Sequence, residues 1–288
     1  MEKLIFLHIP KSAGSTILPI FKRQYKRDSF FVPGNHPDLS AIKEKLASTS
    51  SLRLCFGHMD FGMHDVVGQP YKYATILRDP IERVISQYYY VKRQPKHHLY
   101  NQAFEKNNFS LAEYVESGLS TELNNGQVRI LIGAGGFHKN LHTKHNILFG
   151  KCKPWMLEEA KLNIEKYFVF CGLQEYFDES LVLMKKELNW KKHIGYVSQN
   201  ITSQRKKSFE FEKNTLDIIK KYNSLDIKLY EWIDSKVVSS IKDNETYIKH
   251  ELEKLNRLKL FKYYKYVLSS TVRNTLKNIL KNGAVYQM

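Results

Sequence analysis

The stretch LIFLHIPKSAGST, residues 4–16, decides how this chain is read. Leu4 to Ile9 form an apolar run with one histidine, His8, inside it, and Pro10 ends the run. A short apolar run stopped by proline predicts a buried strand. Lys11 follows, then the small residues Ser12, Ala13 and Gly14, then Ser15 and Thr16. Small side chains let main-chain N–H groups point into a hollow. A helix starting near Ser15 adds the positive end of its dipole. The result is a pocket for an anion, with one lysine aimed into it. The phosphate loop of ATP-binding proteins, G-x-x-x-x-G-K-[ST], is built in a related way but carries its lysine at the end. Here the lysine comes first and one glycine follows, so the stretch is close to that pattern without matching it.

Working outward, two further apolar runs end in polar residues. Leu52 to Phe56 predicts a second buried strand, ending at Gly57-His58. Tyr73 to Leu77 predicts a third, ending at Arg78-Asp79-Pro80, with a helix from Pro80 to about Lys92 and proline in its first turn. A short extended piece, Phe30 to Val32, stops at Pro33-Gly34, and Asp38 to Leu46 reads as a capped helix. Helices are expected at 101–118, 121–132 and 154–165, with a glycine-rich loop from Gly133 to Gly136. Tyr167 to Cys171 predicts a fourth strand, and Gly172 leads into a helix through about Leu188. A polar loop, Ser198 to Lys207, precedes a long helix from Glu210 to Lys236. Strands alternating with helices argue for a parallel sheet. The expected fold is α/β: a P-loop-like, three-layer fold with a central parallel sheet flanked by helices. Ligands of such sheets sit at the carboxyl ends of the strands. Those ends here carry Lys11, His58 and Arg78.

The chain has 288 residues, enough for one large α/β domain with an appendage. The division expected is a domain over 1–236 and a basic helical C-terminal extension over 237–288. In the extension, Arg257, Lys259, Lys262, Lys265, Arg273, Lys277 and Lys281 occur with no acid between 257 and 281. Forty-five Lys plus Arg against 29 Asp plus Glu give a net charge of +16. That surplus attracts nucleotides, acidic sugars, nucleic acid or an anionic membrane, and it equally describes a solvated lysine-rich surface. Cys55, Cys152 and Cys171 form no zinc or redox pattern and read as buried thiols of a reducing compartment. No window approaches about 18 uninterrupted apolar residues, so no membrane span is expected. With strand residues from Leu4 onward and no secretory signal ahead of them, the expected location is cytoplasmic. Peripheral membrane contact would come through the basic tail.

The second motif is LRDPIERVISQYYY, residues 77–90. Arg78 stands at a strand end and Ser86 two turns into the following helix, so both can face one anionic ligand. Arg78-Asp79 could instead be a local ion pair. Tyr88, Tyr89 and Tyr90 read as core packing.

At these residues the chain resembles the 3′-phosphoadenosine 5′-phosphosulfate (PAPS)-dependent sulfotransferases, in the carbohydrate branch that includes heparan sulfate 2-O-sulfotransferase. The resemblance is carried by HIPKSAGST at 8–16, FGHMDF at 56–61 and RDPIERVISQYYY at 78–90. Weaker echoes are NNGQVRILIG at 124–133, CGLQEYFDESLVLMKKELNW at 171–190 and NSLDIKLYEW at 223–232. It implies that Lys11, Ser12, Ala13, Gly14, Ser15 and Thr16 hold the 5′-phosphosulfate of PAPS. Arg78 and Ser86 would hold its 3′-phosphate, and His58 would be the catalytic base. Gln204, Arg205 and Lys206 would close over the nucleotide. A neutral histidine suits base catalysis near pH 7, and Lys11 with main-chain amides suits charge on a departing phosphate oxygen. No metal is required. Among the other histidines, His8 reads as core and His64 as a second residue that could line the pocket, while Asp60 is a possible partner for a histidine.

The reaction expected is sulfuryl transfer from PAPS to a hydroxyl of a glycan or glycolipid, with no nucleic-acid partner. Two other readings compete. A kinase would need a late lysine and a carboxylate for magnesium. A polyanion-binding protein would lose affinity steeply with salt and would not depend on His58.

Overall fold

The computed structural model describes residues 3–33, 44–47, 51–67, 70–135, 145–197 and 206–258. Strand β1 is Lys3–Leu7, followed by helix α1, Gly14–Gln24. Strand β2 is Phe30–Phe31; a helical turn α2 covers 44–47; β3 is Leu54–Gly57 and α3 is Met63–Val67. Strand β4, Tyr71–Leu77, leads into α4, Pro80–Lys92. Then come α5, Leu111–Glu116, α6, Gly126–Leu131, and α7, Trp155–Tyr167. Strand β5, Phe168–Leu173, is followed by α8, Phe177–Glu187, α9, Lys213–Tyr222, α10, Ser224–Asp243, and a helix α11 over 245–258.

The five strands form one parallel sheet in the order β2-β3-β1-β4-β5. β1 sits in the centre, with Leu7 opposite Gly57 of β3 and Phe6 opposite Ala74 of β4. Successive side chains of a strand point to opposite faces. Ile5 and Leu7 therefore join one apolar cluster, with Cys55, Tyr73 and residues of α6, α7 and α10. Leu4 and Phe6 join the other, with Phe56, Ile76 and residues of α1, α8 and α11. A sheet covered on both faces needs continuous apolar strands, which is why these runs do not alternate with polar residues. A third cluster lies off the sheet, between α4, α5 and α9.

Three expected helices are broken, for one kind of reason. The stretch 101–118 holds a π-type turn at Asn101–Glu105 and then α5, whose start is fixed by Ser110 and Glu113 in a reciprocal cap. The stretch 121–132 holds a 3-10 turn at Thr121–Leu123 and then α6. The stretch 210–236 becomes the end of a 3-10 turn, α9 and α10. The last two breaks answer each other. Asn125, left-handed at φ 54°, accepts from the Leu225 and Asp226 amides at 2.8 and 3.1 Å. Asn223 accepts from the Asn125 amide at 3.2 Å, and Asp226 accepts from the Gln127 and Val128 amides at 3.0 and 2.8 Å. Helices α6 and α10 thus cap each other's first turns, and each chain break supplies acceptors for the other's orphan amides.

Helix α10 runs through residue 236 without a break. Helix α11 seats Ile248 and Leu255 in the second cluster and pairs Glu251 with Lys185 and Lys254. Residues 259–288 of the expected extension, and Asp38 to Lys43 of the expected early helix, lie outside the described residues. Among the described residues no helix is long and apolar enough to cross a membrane.

Candidate active site

The carboxyl ends of β1, β3 and β4 lie side by side because the three strands are neighbours in the sheet. At the end of β1 the chain turns through two left-handed residues that are not glycine, Lys11 at φ 68° and Ala13 at φ 57°. Such conformations cost of order 1 kcal/mol or more for residues with a Cβ and are kept where the surroundings hold them. Here the hold is Arg78, whose Nη1 donates to the Lys11 carbonyl at 2.9 Å. The Ser12 amide donates to Ile9, while the Ala13, Gly14 and Ser15 amides meet no main-chain acceptor among the described residues. The Ser12 hydroxyl is buried and has no hydrogen-bond partner among the described residues; the same holds for Arg78 Nε. A loop that buries donors without acceptors is suited to an anion carrying many oxygens. Thr16 is buried in the first turn of α1 and Ser15 is half-buried beside it.

Two imidazoles face this loop. His58, at the tip of β3, places Nδ1 2.8 Å from the His8 carbonyl. A carbonyl can only accept, so Nδ1 carries the proton and Nε2 carries the basic lone pair of the neutral ring. The two rings stack with centroids 4.2 Å apart and planes 25° from parallel. His8 is therefore part of the site and not of the core. Its ring lies against the first turn of α1: a Cβ on Gly14 would fall 1.7 Å from His8 Nε2. Burial, His58 and Lys11 together push the His8 pKa well below the ordinary histidine value, so its ring stays neutral.

Helix α4 supplies the opposite wall. Asp79 caps it, accepting from the Glu82 amide at 2.8 Å, so the Arg78-Asp79 sequence is a helix start and not a closed ion pair. Gln127 holds the Arg78 main chain from both sides, accepting from its amide at 3.0 Å and donating to its carbonyl at 2.9 Å. Glu82, Ser86 and Tyr90 stand four residues apart and share a face. Glu82 lies 3.8 Å from the Arg78 guanidinium. Tyr90 takes the Lys11 ammonium 3.9 Å above its ring centre. Half-buried Ser86 lies one turn from each. Of the three tyrosines expected in the core, Tyr88 is buried there, with its hydroxyl donating to the Phe109 carbonyl at 3.1 Å. Tyr90 is 37% exposed and belongs to the site.

Glu122 adds a further acid. Its Oε2 is sequestered and unpartnered among the described residues. Burial pushes its pKa up to about 7 against the pull of Arg83 and Lys11. His97 packs edge-on to Tyr90, and burial, His98 and Lys11 lower its pKa to about 4.

The structure thus brings together Lys11, Ser12, Ala13, Gly14, Ser15, Thr16, His58, Arg78 and Ser86. Gln204 and Arg205 lie outside the described residues, and Lys206 stands 5.9 Å over the Phe211 ring. His64 does not line the pocket: it bonds the Tyr73 hydroxyl at 2.9 Å and packs on Tyr167. Asp60 is buried and directed at Gly135, where a Cβ would lie 2.1 Å from its Oδ1. Sequence reasoning missed His8, Tyr90 and Glu122 as site residues. His8 stands one residue past the last β1 position, and Tyr90 four residues past Ser86, so both could be found by phase. Glu122 carries no such local signal.

Heparan-sulfate 6-O-sulfotransferase 1 of Homo sapiens and its namesake of Gallus gallus are each 27% identical to the chain over 180 residues. The match covers 56% of this chain and 42% of either relative, so the chain spans less than half the length of the curated relatives it matches. Their names specify a 6-hydroxyl, whereas the sequence motifs resemble the 2-O branch; the level they share is carbohydrate sulfotransfer. The broadest match takes in the sheet, the loop, α4 and α11: over residues 1–261 the chain fits the galactose-3-O-sulfotransferase family, and it belongs to that family.

Proposed function

We propose that this chain transfers a sulfuryl group from PAPS to a hydroxyl of a carbohydrate, on a glycan or glycolipid, with His58 as general base. The observation that carries the reading is the pairing, at adjoining strand ends, of a loop whose buried Ser12 hydroxyl has no hydrogen-bond partner among the described residues and an imidazole whose tautomer is fixed by the His8 carbonyl. The donors fit the group: the Lys11–Thr16 loop would hold the 5′-phosphosulfate, and Arg78 with Ser86 the 3′-phosphate. PAPS supplies the activated sulfuryl group when bound.

The residues then divide the work. His58 Nε2 takes the proton of the acceptor hydroxyl as its oxygen bonds to sulfur. The sulfur–oxygen bond to the 5′-phosphate breaks with its electron pair going to the phosphate oxygen. Lys11 and the loop amides stabilise the charge that develops there, a preorganised electrostatic term. His58 ends the step protonated on both nitrogens beside a neutral His8, and must lose that proton before the next turnover.

The test is incubation of the full chain with radiolabelled PAPS and a panel of β-galactosides, heparan-type oligosaccharides and glycolipids. Label should appear in at least one glycan, and His58→Ala should reduce it by at least 10²-fold. Its desulfated product, 3′-phosphoadenosine 5′-phosphate, should raise the melting temperature well above the shift given by AMP, in wild type and His58→Ala alike. Equal shifts for the two nucleotides would remove the 3′-phosphate site. Full activity of His58→Ala would remove the base.

A further inference from the structure

Lys11 is held at both ends of its residue. Its carbonyl is fixed by Arg78, and its ammonium sits on the face of Tyr90. A cation centred over an aromatic ring at this distance is attracted by the electron-rich ring face. The ring is not there to fill the core. At 37% exposed, it differs from Tyr88 two residues earlier, which is nearly sealed.

Tyr90 is itself braced. The His97 ring meets it edge-on, with centroids 5.6 Å apart and planes 85° from parallel. Edge-to-face packing of this kind adds to contact area alone. The His97 Nδ1 accepts from the Leu99 amide at 3.2 Å, which puts the ring proton on Nε2 and keeps the imidazole in one tautomer. A neutral His97 matters here, because an imidazolium would repel Lys11 and compete for the tyrosine ring.

We propose that Tyr90 is a positioning residue for sulfuryl transfer: its ring face fixes the Lys11 ammonium on the side of the pocket lined by Ser86 and Arg78, and His97 fixes the ring. The hydroxyl of Tyr90 has no part in this, so phenylalanine is the conservative replacement and a branched aliphatic residue is the disruptive one. The inference rests on the reading of the loop as the phosphosulfate site of PAPS.

The experiment compares the full-length wild type, Tyr90→Phe, Tyr90→Leu, Tyr90→Met, Lys11→Ala and the double variant Lys11→Ala/Tyr90→Leu. Each is assayed with radiolabelled PAPS and the glycan that the wild type sulfates best, and binding of 3′-phosphoadenosine 5′-phosphate is measured by calorimetry. Tyr90→Leu should lower kcat/KM for PAPS by three- to tenfold, and Tyr90→Phe should recover most of that loss. In the Lys11→Ala background, Tyr90→Leu should cost less than twofold, since contacting residues are non-additive. Tyr90→Met should follow Tyr90→Leu, which covers the case in which either variant folds badly. Wild-type kinetics in both aliphatic variants would overturn the proposal. So would an equal loss with and without Lys11, because the ring would then act through something else. A wild type that neither binds the nucleotide nor transfers label would overturn the donor reading and this inference with it, an outcome visible in the wild-type arm alone.

Discussion

The β1–α1 loop and the junction of α6 with α10 hold the same residue, Arg78, in different ways. The loop takes its guanidinium: Nη1 donates to the Lys11 carbonyl. The junction takes its main chain, through Gln127. The loop is short-range chemistry, a run of small residues beside one lysine. The junction is long-range chemistry, in which Asn125, Asn223 and Asp226 exchange hydrogen bonds with partners about a hundred positions away. The placement of Arg78 therefore depends on residues remote from the loop, and the two regions should respond differently to substitution.

The sharpest division comes from Asp226. It is fully buried, lies 3.7 Å from the buried Arg83 and caps α6. Removing one partner of a buried pair costs about 3–5 kcal/mol. Asp226→Ala should lose that much stability in urea unfolding, and binding of 3′-phosphoadenosine 5′-phosphate should fall with it. A variant as stable as wild type would erase the distinction between the regions. Lys11→Ala tests the other side. One lost contact to transition-state charge lowers turnover about 10²–10³-fold, and the urea midpoint should hardly move, since Lys11 is only half-buried. A normal rate would place the transition-state contact elsewhere.

The smallest effect is a pH slope. The Glu122 carboxyl, facing Arg83, Lys11 and Tyr114, has its pKa raised by burial to about 7 from an ordinary value of 4.5. The folded chain thus keeps a proton that the unfolded chain gives up, and stability falls as pH rises from about 4.5 to 7. His97 works in the opposite sense. Its pKa is lowered to about 4 from 6.5, so stability falls as pH drops through that window. Glu122→Gln should remove the first slope and leave the second, becoming more stable relative to wild type as pH rises toward 8. Melting curves at pH 5 and pH 8 decide this; a constant difference between the two proteins would show that Glu122 does not hold the proton.

Much of the sheet was legible because β1, β3 and β4 are compact apolar runs stopped by proline, glycine or a charge, whereas β5 runs on through Gly172 to Leu173. Lys11, His58 and Arg78 were legible for the same reason, as the first polar residues after three such runs. Ser86 followed from its helical spacing. Three tyrosines in a row gave no such guide, because only the turn of α4 separates Tyr88 in the core from Tyr90 on the rim. The helix breaks at Asn125 and Asn223 were hidden, since the amides and carboxylates that stabilise them belong to the opposite stretch. Glu122 was hidden likewise: its raised proton affinity comes from burial by the folded chain, and the cations that oppose it, Arg83 and Lys11, arrive from α4 and from the first loop.

The mutual capping of α6 and α10 has a consequence for the order in which the chain is made. During synthesis the loop, α4 and α6 emerge long before Asn223 and Asp226. Until those two residues leave the ribosome, the first turn of α6 lacks its acceptors and Gln127 has no fixed place from which to grip Arg78. A segment made earlier thus waits on one made about a hundred residues later to become rigid.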